Sequence, residues 1–162
     1  MDDRTPTMEW INSSIASLKD LLAFLYKKSK TNDVHKKQVI IELRDNLNVF
    51  KNGFLNQSPY DRMIDLLSRE AVRVAIRENF NFKKLRSGNI RASTIYEERN
   101  KKYAGWTAER LVDKIDEKIV ELKNIKKMNR DSVENARNNI SLMMSNLYFR
   151  MKLLAEFIQS GK

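Results

Sequence analysis

The chain has 162 residues, with no cysteine, one histidine, four glycines and two prolines, and 31 basic against 21 acidic side chains give it a formal charge of +10. The absence of cysteine excludes disulfides, thiolate catalysis, zinc ribbons and iron–sulfur ligation. So few turn formers, against an ordinary usage of about 7% Gly and about 5% Pro, point to an all-α chain.

A hydrophobic content of 41% suffices for the core of a single domain over 1–162. The opening Met1-Asp2-Asp3-Arg4 reverses the order of a secretory signal, and the longest apolar run, Leu21 to Tyr26, is too short to span a bilayer. A cytoplasmic location is the expectation.

Five helices are predicted. Met8, Ile11, Ile15, Leu18, Leu22 and Leu25 alternate spacings of three and four, giving a helix over 7–29 with Thr5 or Thr7 before it as cap. The polar break at residues 30–33 offers caps for a second helix over 33–52, with the stripe Ile40, Leu43, Leu47 and Phe50 and with Gly53 as its left-handed C-terminal residue. Ser58-Pro59-Tyr60-Asp61 combines an N-cap serine, proline at the first helical position and an acid in the first turn. It starts a third helix over 59–79, on Tyr60, Ile64, Leu67, Ala71 and Val74.

Thr107 opens a fourth helix over 107–128, with Leu111, Ile115, Ile119 and Leu122 inward. A turn at Asn129-Arg130-Asp131 leads to a fifth over 131–160, on Val133, Ile140, Leu147, Met151, Leu154 and Ile158. The short connections predict an antiparallel bundle. The fifth helix also carries Leu142, Met143, Phe149, Leu153 and Phe157, so it is either central to the bundle or meets another chain.

No catalytic constellation is evident, and no cofactor, metal or small-molecule site is expected. His35 has no acidic or hydroxyl partner at helical spacing and reads as an exposed or capping residue. Arg99-Asn100 and Arg137-Asn138 supply the first half of the pattern of HEPN-type ribonucleases, an arginine and polar residue followed shortly by histidine. Residues 101–106 and 139–144 contain no histidine. Asp113, Glu117 and Glu121 line one edge of the fourth helix without the Glu-x-x-His elements of a di-metal bundle, and read as a salt-bridged face.

Two basic features remain. Arg69, Arg73 and Arg77 repeat every four residues, a column that suits either successive phosphates or pairing with Asp65 and the acidic edge of the fourth helix. The interval 80–106, poorly periodic, holds seven basic residues, Lys83, Lys84, Arg86, Arg91, Arg99, Lys101 and Lys102, against Glu97 and Glu98. Phe80, Phe82, Tyr96, Tyr103 and Trp106 are interleaved with them. Aromatic faces beside phosphate-neutralising cations are how single strands are held without a sequence code.

The leading expectation is therefore a non-enzymatic module, a small subunit of a larger assembly, that contacts RNA or DNA through this basic crossover and the arginine column. The alternative is a scaffolding bundle that self-associates or docks a protein through Leu142, Phe149, Leu153 and Phe157.

Overall fold

The computed structural model describes residues 8–161, and these are all-helical apart from turns and one isolated bridge, Asn89 to Thr107. Seven α-helices are present among them: α1 (Glu9–Asn12), α2 (Ile15–Lys28), α3 (Val34–Leu55), α4 (Tyr60–Leu66), α5 (Glu70–Arg77), α6 (Ala108–Met128) and α7 (Ile140–Gly161). Short 3-10 turns at Phe82–Lys84, Ala92–Thr94, Glu98–Tyr103 and Val133–Asn135 fill the connections. No described helix is long and apolar enough to cross a membrane.

The predicted helix over 7–29 divides at Ser13 and Ser14. Ser14 Oγ donates to the Ile11 carbonyl (2.9 Å) and meets the Tyr148 hydroxyl at 2.6 Å, so the side chain competes with the backbone ladder. The stripe Met8, Ile11, Leu18, Leu22 and Leu25 is nonetheless buried. The proposed caps Thr5 and Thr7 lie outside the described residues.

Asp33 caps α3 as its position suggests, its carboxylate accepting from Lys36 N–H. Gly53 does not end that helix. It lies inside it, where a Cβ would come within 2.6 Å of Met63 Sδ, so the residue is small because α4 crosses there. The left-handed position falls on Gln57, with φ 50°.

The helix predicted over 59–79 is broken at Leu67, which is extended. Two polar residues of α3 hold the break. Asn46 donates to the Ser68 carbonyl (2.8 Å) and accepts from its N–H (2.9 Å), while the buried Glu42 carboxylate accepts from Ala71 N–H (2.7 Å), Val72 N–H (3.1 Å) and Ser68 Oγ (2.8 Å). Glu42 thus caps α5 from another helix, as an anion at the positive end of its dipole. At the start of α4, Pro59 is itself the N-cap, and Ser58 makes no capping bond.

α6 begins on the expected cap, Thr107 Oγ1 accepting from Arg110 N–H (3.3 Å). α7 starts nine residues later than predicted, at Ile140 rather than Asp131. Arg130 and Asp131 are left-handed (φ 60° each), and Asp61 of α4 pins the following turn by accepting from Ser132 Oγ and Val133 N–H, both at 2.7 Å.

α7 packs against α2, α3 and α6. It is central: Phe149, Leu153 and Phe157, expected at an interface, are buried in the core of this chain. For Phe149 and Phe157 the crossover supplies the cover. Arg86 lies over the Phe157 ring, Arg99 over Phe149, and Asn100 donates to the Phe149 carbonyl. Only Leu142 of the four stays exposed, at 51%.

Candidate nucleic-acid interface

Residues 80–106 are anchored by side chains that the composition offered as binding groups. Phe82, Leu85, Ile90, Ile95 and Tyr103 are all buried. The ends are tied by Ile90 N–H to the Trp106 carbonyl and Gly105 N–H to the Ile90 carbonyl, both 2.8 Å, with Gly105 at φ 87°. Only glycine reaches that conformation without strain.

This burial corrects part of the predicted site. Phe82 and Tyr103 cannot stack on bases, because they are core residues. Phe80 is half-buried, edge-on to Phe82, and the Trp106 face is taken by Arg110, whose guanidinium sits 4.0 Å from the ring centre. Tyr96 alone presents its ring to solvent, at 84% exposure.

The cations divide in the same way. Arg86 bonds the carbonyls of Phe157 (3.1 Å) and Ser87 (2.6 Å), and Arg99 bonds Glu97, Ser145 Oγ and Asn146 Oδ1. Both are clamps that hold the crossover to α7. Lys101 is exposed, but its Nζ donates to the Ile95 carbonyl (2.6 Å). Lys84 pairs with Asp33 at 3.3 Å; the Lys36 N–H, with help from Lys84, holds that carboxyl below its ordinary range. Lys83, Arg91 and Lys102 are exposed and pair with no carboxylate among the described residues.

The arginine column begins at the break and does not cross it: Arg69 is the N-cap of α5, its carbonyl accepts from Arg73 N–H (2.9 Å), and Arg73 and Arg77 follow on that helix. Arg69 precedes α5 and makes a bidentate pair with Asp116 of α6 (2.7 and 3.0 Å), which raises its pKa further. Arg73 pairs with Glu70, and Arg77 is exposed. Asp65 bonds Lys126 (3.0 Å) instead of Arg69. On the acidic edge, Glu117 and Glu121 pair with Lys114 and Lys118, and burial, followed by the Glu109 and Asp116 charges, pushes the Asp113 carboxyl up. His35 meets Glu78 at 3.2 Å, a partner at the C-cap of α5 outside its own helix, and its ring lies near Phe80. The described residues contain no group of three or more His, Cys, Asp or Glu placed to hold a metal.

A basic feature that the sequence reading passed over lies one helix away. Arg110, Lys114 and Lys118 repeat every four residues along the unbroken α6. Lys114 and Lys118 line a cleft of about 170 Å³ with Lys102 of the crossover and Arg150, Asn146 and Met143 of α7, floored by Leu122. The four-residue spacing was visible in the sequence, as was Arg150, a lone charge in the run from Leu147 to Met151. Their convergence was not, since it requires three segments to pack together.

Compared with known protein families, with curated proteins and with solved structures, the chain matches none.

Proposed function

We propose that the chain is a non-enzymatic module, one small subunit of a larger assembly, that contacts RNA or DNA where the crossover meets α6. The observation that carries this reading is the gathering of Lys102, Lys114 and Lys118 around one cleft, with Arg110 a turn before Lys114 on α6. Arg91 directly follows the Ile90 pairing with Trp106, which sets it near the start of the same helix. Surface lysines opposite only surface carboxylates exchange those partners for phosphates at little cost. Tyr96, the exposed ring of the crossover, lines a separate cleft with Ser17, Lys152 and Glu156 and adds no stacking platform to the lysine cleft.

The subunit reading is supported by exposed apolar side chains, Leu55, Leu66 and Met128 besides Leu142. Docking through α7 has less support, because one of its four residues reaches the surface.

Anisotropy titrations of single-stranded RNA and DNA over a salt series test the proposal. Affinity is expected to fall steeply with salt, and Lys102→Gln, Lys114→Gln and Lys118→Gln together are expected to flatten the log–log slope by about 2, at roughly 0.7 per lost contact. Lys19→Gln, exposed on α2 and outside the crossover, serves as the control. No retention on a polyanion column at moderate salt would sink the reading.

A further inference from the structure

The geometry points to a phosphate-monoester site in the cleft between the crossover, α6 and α7, with Arg150 at its base. This rests on the preceding reading only for the source of the phosphate, not for the site.

Arg150 is 4% exposed, on a helix otherwise apolar at this level. Its Nε donates to the Tyr103 hydroxyl (2.8 Å), but Nη1 is fully buried and has no hydrogen-bond partner among the described residues. No carboxylate pairs with it there. A buried guanidinium without a counter-charge is costly, because it has left water without regaining its bonds. The Tyr103 ring, 5.5 Å from Cζ, offers an attractive face but no acceptor for Nη1.

The rest of the cleft is built from donors. Lys102, Lys114 and Lys118 surround it. Asn146 Oδ1 is occupied by Arg99, which leaves its amide NH₂ to face a ligand as donor. The pairs of Lys114 with Glu117 (3.6 Å) and Lys118 with Glu121 (3.0 Å) are between neighbours on one helix face, the kind that contributes little and yields readily.

A single carboxylate would satisfy Arg150 and leave the lysines uncompensated. A phosphate monoester carries about −1.5 to −2 charge and three acceptor oxygens, which matches the charge of a guanidinium backed by three ammonium groups. The cleft of about 170 Å³ leaves space beside Leu122 and Met143 for the first part of the esterified group. That group is either the terminal phosphate of a nucleic acid or a free phosphorylated small molecule.

The test uses the full chain with uridine 5′-monophosphate against uridine, and with one single-stranded oligonucleotide carrying either a 5′-phosphate or a 5′-hydroxyl. The monophosphate is expected to bind and the nucleoside not, and the phosphorylated oligonucleotide to bind about tenfold tighter than its hydroxyl form, the scale of one hydrogen bond to a charged group. Arg150→Met should abolish both preferences. Should that variant not fold, Lys102→Gln and Lys118→Gln, both at the cleft rim, should erode them towards unity while Lys19→Gln, exposed on α2, preserves them.

Equal binding of the two oligonucleotides with no binding of the monophosphate overturns the site and leaves the nucleic-acid face standing. Binding of the monophosphate with neither oligonucleotide supports the site, makes its ligand a small molecule and removes the nucleic-acid reading. A phosphate preference that survives both lysine variants, or no binding of any probe, also overturns the site.

Discussion

Tyr148 reaches Ser14 across the core at 2.6 Å, and Ser14 in turn donates to Ile11, so one hydroxyl pair joins α7 to the junction of α1 and α2. Burial pushes the phenol up to about 12 from 10.0, against the lowering effect of the Ser14 bond. Because the folded value is the higher, the unfolded chain releases this proton first. The group's contribution is complete below pH 10 and is lost as pH rises to about 12, a swing on the order of 2 kcal/mol. Tyr148→Phe should cost about 1 kcal/mol at neutral pH and lose that alkaline component. Urea unfolding of both proteins at neutral pH and again between pH 10 and 12 checks it. Glu42 is a second residue whose worth lies in what it caps. Glu42→Ala should cost about 2–3 kcal/mol, with Glu42→Gln milder because one acceptor remains, read from urea midpoints.

Helices legible in the sequence are those whose signals are local. α6 carries its cap, its stripe and its length within about twenty consecutive residues, and begins where Thr107 predicts. Breaks are not local. Nothing between Leu67 and Arg69 forbids a helix; the interruption is held by Glu42 and Asn46, more than twenty positions earlier in the chain. The late start of α7 is likewise held by Asp61, some seventy positions away. The same break separates Asp65 from Arg69, so that four-residue pair does not form and Asp65 bonds Lys126, whereas Arg69, Arg73 and Arg77 all lie on one side of it. Gly53 shows the converse: glycine near a helix end usually signals a stop, yet here it makes room for Met63. Gly53→Leu should therefore destabilise by about 2 kcal/mol despite better helix propensity, and Met63→Ala in the same chain should return part of the loss, measurable as a double-mutant cycle.

Across the whole molecule, the placement of α7 separates the two functional expectations. Leu153→Asp puts a charge into the core and should cost about 4 kcal/mol or more, lowering the melting temperature. Leu142→Asp, at the surface, should change stability by less than about 0.5 kcal/mol. A Leu153→Asp protein that melts normally but changes mass in sedimentation would instead restore the interface reading.

Composition and periodicity by themselves determined the helical class, the inward stripes and the concentration of positive charge between Phe80 and Trp106, because each is a property of residue type and near-neighbour spacing. Tertiary structure decided which of those charges are available. Arg86 and Arg99 became clamps and Phe82 and Tyr103 became core, since a crossover of this length must bury side chains to stay on the helices it crosses. Lys102, Lys114, Lys118 and Arg150, spread over nearly fifty positions, became one cleft. Charge can be counted along a chain, but whether it faces water, a carbonyl or an empty cleft depends on what packs beside it.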